Sequence, residues 1–428
     1  MVKHQHGGKL IDSGTYGCIN YPALPCWSKQ KQTSKQYHNK SFVSKIMTTD
    51  EAEYEIQNIK EIKKLDYLDI FTLRNIQLCK ANEFNEKTDN LSKCSIIYKY
   101  DINDKNCKDK KYFYPKKCNY THSLNPNYTL ILMPKLEYTL FDIMLKVINL
   151  NKPDKKIINN GLDINLNLFY ACAFLSSQSF IHFDIKENNI GYDGKKPVLF
   201  DFGLSYKFMI GKKATYKASQ RISQSYDYYM YQITSGCLLD KLSLEMDEVN
   251  DSLFTPHGKK GKDNYANILK WLETAPDTNQ YINLKNIAKL FNFTKDEYVQ
   301  KTAKTLVIIY GYCLPTFNND DKKWLAKKVL ETVDSYALGI SLLFYIHIIK
   351  KYISAELKKD LLDIIKNACH YNILARAWPS QVVDLVDELI KKHNLNSKYL
   401  DLRPYKLSSI PDTPKSIIEV LEVLNKKL

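Results

Sequence analysis

The 428-residue chain is 44% hydrophobic and 12% aromatic, with few glycines and prolines, and this composition excludes a disordered or fibrous protein. Its length exceeds that of one ordinary domain and suits two packed units. The formal net charge of +15 permits an anionic partner, but the lysines are spread along the chain and no basic run alternates with aromatic residues, so no specific nucleic-acid partner is predicted.

The N-terminal part of the chain predicts a small, sheet-rich unit. Strands are expected at Lys9–Ile11 and Cys18–Tyr21 on either side of a glycine turn, and a third strand begins at Phe42 and carries Lys45. Further strands are expected beyond a following helix, with a polar loop over residues 101–122 between the last two. They lie at Phe71–Leu73, Ser95–Tyr98 and Thr129–Met133.

A helix is predicted directly after the third strand. Thr48 and Glu51 have the spacing of a capping box, which begins many helices. Glu55, Ile59 and Ile62 then recur at helical period and share one face. This face is expected to point inward.

The remainder of the chain predicts a larger and mostly helical unit. Leu162–Ser177 is an apolar helix, and Tyr336–Ile349 is the most apolar stretch. The latter is too short to span a bilayer and is flanked by charged residues, so we expect a buried helix and no membrane span. Other helices are predicted at Ile268–Thr274, Leu284–Phe291, Asp296–Ile309, Gln381–Lys392 and Pro414–Leu428.

These elements together predict an α+β fold. The smaller unit is expected over residues 1–135 and the larger one over residues 136–428, with a long insertion at residues 206–325. No internal repeat is recognisable.

Ten cysteines occur without a recognisable signal peptide or a paired Cys-x-x-Cys motif. This usage predicts reduced thiols and a cytoplasmic location. Cys94, Cys107, Cys118 and His122 could in principle gather around zinc, but their irregular spacing disfavours a zinc site.

The most informative residues lie in two short segments near the middle of the chain. His182–Asn189 reads HFDIKENN, and Val198–Gly203 reads VLFDFG. An Asp that can accept a hydroxyl proton, an Asn shortly after it and an Asp after a short apolar strand are groups that phosphoryl transfer from a magnesium-bound nucleotide requires. Because the three occur in the appropriate order, the sequence predicts phosphoryl transfer.

Transfer of a terminal phosphate requires a hydroxyl held in line and neutralisation of the phosphate oxygens. Asp184 is the candidate base for the acceptor hydroxyl, and Lys186 is the candidate that stabilises the transferred phosphate. Asn189 and Asp201 are the candidate oxygen ligands of Mg²⁺.

The glycine turn and the strand lysine are the candidates for nucleotide binding. Gly14 and Gly17 have no side chains, so backbone amides of the turn can approach phosphates. Lys45 is the candidate that holds the α- and β-phosphates. Glu55 is the preferred acidic partner of Lys45 because it lies on the inward face of its helix, and the alternatives are Glu51 and Glu61.

Asp334 opens the apolar helix at Tyr336–Ile349. An Asp at such a position can cap the helix and accept hydrogen bonds from nearby backbone amides. We therefore expect Asp334 to support the structure and not to take part in chemistry.

Taken in order, the glycine turn, Lys45, His182–Asn189 and Val198–Gly203 resemble the eukaryotic-type protein kinase family over most of the chain. Residues 14–26 and the bias toward Lys, Asn, Ile and Tyr are similar to the kinase-like proteins of large nucleocytoplasmic DNA viruses. That narrower resemblance implies a location in the host cytoplasm or the virion.

The kinase resemblance implies a two-lobed fold that binds ATP and Mg²⁺. Lys186, two positions after Asp184, resembles the serine/threonine class, so the implied substrate is a Ser or Thr hydroxyl of a protein, and the basic chain makes acidic proteins candidates. The family's late arginine, which braces the larger lobe, is implied at Arg376. Nucleotide-binding residues are implied at Ile11, Gly14, Thr15, Tyr16, Gly17, Ile19, Lys45, Glu55, Met133 and Asp201.

Four features depart from the family pattern. Asp12 stands in place of the first glycine of the turn, where a carboxylate would repel phosphates. Val43 replaces a smaller alanine that borders the adenine pocket. Phe183 replaces the arginine that pairs with a phosphorylated activation loop, so activity independent of that phosphorylation is expected. The Ala-Pro-Glu that ends the activation segment is not recognisable.

Two other functions remain open. A pseudokinase that binds ATP and acts as a scaffold would account for Asp12 and the missing segment end. A small-molecule phosphotransferase would share the His-x-Asp and the later Asn, but such enzymes usually lack the Asp-Phe-Gly and Asp-x-Lys found here. The sequence predicts neither the identity of the substrate nor the oligomeric state.

Overall fold

This computed structural model describes residues 9–13, 17–24, 41–80, 94, 98–100, 120–122, 128–150, 153–208, 279–309, 316–395, 407 and 409–427. The chain divides into two compact units, Met1–Glu137 with Asp201–Gly203 and Tyr138–Phe200 with Leu204–Leu428. The first unit contains an antiparallel sheet and the second is mostly helical, so the fold is mixed α+β. The division after Glu137 lies close to the expected boundary at residue 135.

A five-stranded antiparallel sheet forms the centre of the first unit. Its strands are β1 (Lys9–Ser13), β2 (Cys18–Tyr21), β3 (Phe42–Thr48), β4 (Gln77–Lys80) and β7 (Tyr128–Pro134), and a separate pair is formed by β5 (Tyr98–Tyr100) and β6 (Tyr120–His122). The order across the large sheet is β1-β2-β3-β7-β4. β3 and β7 are almost wholly buried, as central strands rich in apolar residues should be.

Helix α1 (Thr49–Leu65) follows β3 as predicted. The Thr48 hydroxyl accepts a hydrogen bond from the Glu51 amide at 3.4 Å and donates one to the Glu51 carboxylate at 2.8 Å. Thr48 is therefore the N-cap that the sequence indicated. The inward face is confirmed too, because Glu55, Ile59 and Ile62 are all buried.

The predicted strand at Phe71–Leu73 is wrong. The fully buried carboxylate of Asp66 accepts hydrogen bonds from the backbone amides of Ile70, Phe71 and Thr72 at 2.7–3.1 Å. These amides are the donors that a strand would use for its ladder, so the segment forms a loop around Asp66 and the strand begins only at Gln77. Of the expected strand at Ser95–Tyr98, residues 95–97 lie outside the described residues.

The second unit contains nine of the described helices and five short strands. The strands are β8 (Tyr138–Thr139), β9 (Phe180–Ile181), β10 (Ile190–Tyr192), β11 (Pro197–Leu199) and β12 (Tyr206–Lys207). They form two small sheets, with the orders β11-β10-β8 and β12-β9. The helices are α2 (Leu140–Asn149), α3 (Lys155–Ser177), α4 (Asn279–Leu290), α5 (Lys295–Ile308), α6 (Asn319–Glu331), α7 (Val333–Ile349), α8 (Ala355–Ala368), α9 (Pro379–His393) and α10 (Lys415–Lys427).

Five predicted helices of this unit are confirmed as α3, α4, α5, α9 and α10. The one expected at Ile268–Thr274 lies outside the described residues. Helix α4 packs against α7 and α8, and Tyr298 on α5 is only 1% exposed. The later part of the expected insertion at residues 206–325 therefore belongs to the helical core.

Helix α7 is the predicted buried helix. Together with α6 it forms a segment, Asn319–Ile349, that is long and apolar enough to cross a membrane by length and composition, but 83% of its most apolar window is buried inside the protein. It packs against α3, where the Tyr345 hydroxyl donates a hydrogen bond to the Ile158 carbonyl at 2.8 Å. A core helix of this kind needs no lipid to cover it.

The expectation that the cysteines are reduced is wrong for Cys18, Cys79 and Cys94. Cys18 and Cys94 form a disulfide with each other in the core of the first unit, and Cys79 is also disulfide-bonded. Cys94 is thereby unavailable as a zinc ligand. Cys172 and Cys369 are free and buried. Cysteine usage therefore no longer argues for a reducing compartment.

Replacing Gly161 by Ala should destabilise the second unit. A methyl group at Gly161 on α3 would overlap the ring of Tyr345 on α7, and both helices are held by extensive packing. We expect a loss of about 2 kcal/mol in the free energy of unfolding, since overpacking outweighs the helix propensity gained. Urea unfolding of the wild type and of Gly161→Ala measures this loss of unfolding free energy.

The exposed neighbour Asn159→Ala is the control, with an expected change within about 0.5 kcal/mol. In a double-mutant cycle, Tyr345→Leu should remove most of the cost of Gly161→Ala. An additive double mutant would contradict the proposed overlap.

Candidate functional site

The predicted strand lysine is a buried cation between two carboxylates. Lys45 lies in β3, opposite Ile19 of β2 and Ile131 of β7, and it is 6% exposed. Its Nζ lies 2.8 Å from Oε2 of Glu55 and 2.7 Å from Oδ1 of Asp201. We call these three residues, all within the first unit, the lysine cluster.

The structure selects Glu55 among the three candidate partners of Lys45. Glu55 is 1% exposed on the inward face of α1. Glu51 instead bonds to the Thr48 hydroxyl, and Glu61 pairs with Lys64 at the surface. The helix face therefore decides the pairing, as the spacing of the apolar residues indicated.

A short turn brings Asp201 to the lysine cluster. Asp201 has a φ of 62°, in the left-handed region that side chains other than glycine seldom occupy. The next residue is held by α1, because the Asn58 side-chain amide donates to the Phe202 carbonyl at 3.0 Å. This bond fixes the turn and with it the carboxylate of Asp201. No pattern in the sequence predicted the role of Asn58, a second buried polar residue beside Glu55 on a mostly apolar face.

Burial and charge act in opposite directions on the ionisation of Lys45. Burial lowers its pKa, but the carboxylates of Asp201 and Glu55 outweigh burial and raise it above the ordinary value, so Lys45 is a cation at neutral pH. Burial raises the pKa of Glu55 to about 7, although Lys45 opposes that rise. The cluster can therefore lose one negative charge near neutrality while the lysine stays charged.

The second group of predicted residues lies in the second unit, in the segment His182–Asn189, which we call the aspartate loop. The Asn189 side-chain amide donates to the Asp184 carbonyl at 2.9 Å and to its Oδ2 at 2.7 Å. Lys186 Nζ lies 3.1 Å from the same Oδ2. The loop thus orients the carboxylate of Asp184 from two sides. Because the Asn189 nitrogen faces Asp184, its Oδ1 is the atom with which it can bind a cation.

Asp334 of α7 holds the backbone of the aspartate loop. Its Oδ2 accepts from the His182 amide at 2.7 Å and its Oδ1 from the Phe183 amide at 3.0 Å. The expectation that Asp334 bonds to nearby amides is confirmed. The expectation that it caps its own helix is wrong, because the N-cap is Thr332. Burial raises the pKa of Asp334, and His182 and the two amides oppose the rise.

The ring of His182 fixes the same loop from its inner side. His182 is fully buried, and its Nε2 lies 3.0 Å from the Phe200 carbonyl. A carbonyl can only accept, so Nε2 carries the proton, and Nδ1 accepts from the Asp184 amide at 3.3 Å. The ring is therefore a neutral connector between two backbone segments. This role was not predicted from the sequence, in which the only signal for it is the position of His182 two residues before Asp184.

Phe183 stands where the family resemblance implied an arginine. It is 3% exposed, has a φ of 65°, and its ring lies 6.5 Å from that of Tyr206. At this position of the loop, Phe183 therefore makes an apolar contact with Tyr206 and carries no positive charge. Residues 209–278, which follow this part of the chain, lie outside the described residues.

The remaining predicted nucleotide contacts are only partly described. Gly14, Thr15 and Tyr16 lie outside the described residues, and so does the side chain of Asp12. Ile11 of β1 is 55% exposed, whereas Met133 of β7 is 8% exposed and pairs with Val43.

Close packing of β2 against β3 explains why a glycine, Gly17, precedes β2. A Cβ there would lie 2.8 Å from the Ile46 carbonyl of β3, so a side chain would push the two strands apart. The glycine is thereby explained without a phosphate.

Arg376 precedes α9 and has its guanidinium 4.7 Å from the centre of the Tyr336 ring of α7. It also donates two hydrogen bonds to the His370 carbonyl, at 3.0 and 3.3 Å. It therefore joins the loop before α9 to the buried helix, which is a bracing role within the second unit.

Comparison of the sequence with models of known protein families and with curated proteins found no match. Within the described part of the chain, no three His, Cys, Asp or Glu side chains gather as a metal site would require. The candidate chemical groups are the lysine cluster in the first unit and the aspartate loop in the second.

The pH dependence of stability should show the raised pKa of Glu55. A carboxyl group whose pKa is raised on folding stabilises the protein most below its ordinary pKa, and the contribution is lost as pH rises through the folded value. We expect the stability of the wild type relative to Glu55→Gln to fall by roughly 3 kcal/mol between pH 4.5 and about 7.

Urea unfolding at a series of pH values measures this difference. Glu53→Gln, at an exposed position on the same helix, is the matched control for the loss of a glutamate from this helix. If stability relative to Glu55→Gln rose toward pH 7, attraction to Lys45 would outweigh burial and the assignment would be wrong.

Removing the carboxylate of Asp334 should loosen the aspartate loop. Asp334→Ala leaves two buried amides without their acceptor, which costs roughly 2–5 kcal/mol of unfolding free energy. Asp334→Asn keeps one acceptor oxygen and should lose less. The exposed Asp320→Ala serves as control in the same urea titration, and equal losses for Asp334→Ala and Asp334→Asn would contradict a role as double acceptor.

Proposed function

We propose that the protein is an ATP- and Mg²⁺-dependent protein kinase that phosphorylates Ser or Thr hydroxyls. The observation that carries the proposal is the pairing of a buried strand lysine with Glu55 and Asp201, in the same chain as the Asp184–Lys186–Asn189 group. Each group has a separate purpose in phosphoryl transfer. A purely structural ion pair would not require the second group.

In this proposal Lys45 binds the α- and β-phosphates. Its charge is secured by two carboxylates, and Glu55 holds the ammonium in position on the strand. Such a fixed cation neutralises phosphate oxygens without reorganisation during the reaction.

Asp184 accepts the proton of the substrate hydroxyl and orients its oxygen for attack. The Asn189 amide and the Lys186 ammonium both lie at Oδ2 of Asp184, which holds the carboxylate in one orientation. Lys186 also stabilises the transferred phosphate. Its cation and its position beside the base suit that purpose.

Asp201 and Asn189 have the donor types that Mg²⁺ prefers, a carboxylate and an amide oxygen. The side chain of Asp201 is 35% exposed, so its carboxylate is accessible although one oxygen bonds to Lys45. Mg²⁺ bound by such ligands would neutralise the phosphates during transfer. The residues present therefore fit the ion.

The direct test is transfer of labelled phosphate from Mg-ATP to the protein itself and to one acidic and one basic protein substrate. We expect incorporation on Ser or Thr that falls by about 10³-fold in Asp184→Asn. Lys45→Met should act mainly by weakening ATP binding, as measured by calorimetry.

Asp320→Asn, at an exposed position 93% accessible, is the matched control and should keep full activity. Normal binding of Mg-ATP without transfer to any protein would favour an ATP-binding scaffold instead. Transfer to aminoglycosides or lipids but not to proteins would favour a small-molecule phosphotransferase.

A further inference from the structure

A basic groove of about 630 Å³ lies in the second unit, between α4, α7 and α8. It contains no residue of the lysine cluster or of the aspartate loop. Its apolar floor is formed by Leu290, Leu343, Ile346 and Leu362. We call this feature the basic groove.

Five lysines line the groove, against a single acidic residue, Asp363. They are Lys289, Lys350, Lys358, Lys359 and Lys366, and none forms an ion pair with another residue that the structure describes. Unpaired like charges at this density create a positive potential that a concave, apolar surface strengthens.

His347 lies within reach of the charges of these lysines. It lines the groove on α7, and its pKa is lowered by partial burial and by the charges of Lys350, Lys289 and Lys358. The groups that face it from α4, α7 and α8 are therefore cationic, with Asp363 as the one anion of the lining. At neutral pH the histidine adds no charge of its own.

We propose that the basic groove binds an acidic amphipathic helix of a partner protein. Apolar side chains of that helix, spaced three or four residues apart, would cover the leucine and isoleucine floor, and carboxylates on its flanks would pair with the lysines. The charge of the rim and the chemistry of the floor are both satisfied only by a ligand of this mixed character. The inference concerns binding and goes beyond the proposed kinase activity.

Other anionic ligands fit less well. Single-stranded nucleic acid is usually held by aromatic side chains that stack on its bases, whereas this floor is aliphatic. A lipid bilayer is flat on this scale and would contact the rim without reaching the floor. A small phosphate compound would use the lysines and leave the apolar floor exposed.

The test uses the full-length protein and a fluorescent designed peptide of about five helical turns, with leucines on one face and glutamates on the other. Fluorescence anisotropy gives its dissociation constant. We expect Lys350→Gln, Lys358→Gln and Lys359→Gln combined to weaken binding about tenfold, with a smaller effect of added salt than in the wild type.

The matched control variant removes the same charge elsewhere, through Lys60→Gln, Lys195→Gln and Lys391→Gln at exposed positions. It should bind the peptide as the wild type does. Equal weakening in both variants would show an effect of net charge alone and would overturn the proposal.

A second pair of variants tests the groove without removing a lysine. Ala355 is exposed in the lining and begins α8, where a glutamate favours the helix N-terminus. Ala355→Glu should weaken peptide binding several-fold. Ala355→Gln introduces a side chain of the same size as glutamate but without the charge, and it should change binding little. Thermal unfolding confirms that both variants are folded.

Three further outcomes would overturn the proposal. The first is no binding of the acidic peptide by the folded wild type. The second is equal binding of a peptide whose glutamates are replaced by lysines. The third is equally effective displacement of the peptide by single-stranded RNA or pyrophosphate, which would indicate a general anion surface.

Discussion

The first unit depends on the need to compensate one buried positive charge. An ammonium group in the centre of a sheet is costly unless carboxylates neutralise it, and Lys45 obtains them from two separate parts of the chain. The helix after β3 must therefore present Glu55 inward, and the turn at Asp201 must adopt a left-handed backbone to bring its carboxylate to the same atom. Local conformation at both places follows from this single requirement.

The second unit buries an acidic side chain, and backbone amides take the place that the carboxylates have around Lys45. Asp334 is a buried carboxyl group, and the groups that bond to it are two backbone amides, without an ion pair to a Lys or Arg among the described residues. Hydrogen bonds from amides can stabilise a carboxylate while they define the position of the donors. The two hydrogen bonds to Asp334 thereby position the backbone of the aspartate loop, and the neutral ring of His182 joins that loop to the Phe200 carbonyl.

Sequence patterns predicted the features that depend on neighbours along the chain. The Thr48 cap, the inward face of α1 and the buried helix α7 all follow from residue spacing, and the pairing of Glu55 follows from that face. The Asp66 loop and the Cys18–Cys94 disulfide did not follow.

Both of these failures have a physical cause. A carboxylate that withdraws three amides from a strand gives no periodic signal, and the partner of a cysteine depends on strand pairing across many residues. The same limit applies to His182, whose function depends on a carbonyl that β11 positions.

The distribution of charge shows what three-dimensional structure adds. In the sequence the lysines are spread along the chain, and the excess of positive charge has no visible focus. Folding places α4 beside α7 and α8, so lysines between positions 289 and 366 line one groove above an aliphatic floor. A net charge that is uninformative along the chain thus becomes a local potential with a defined shape. Shape and charge together specify a ligand more narrowly than the overall charge of a protein does.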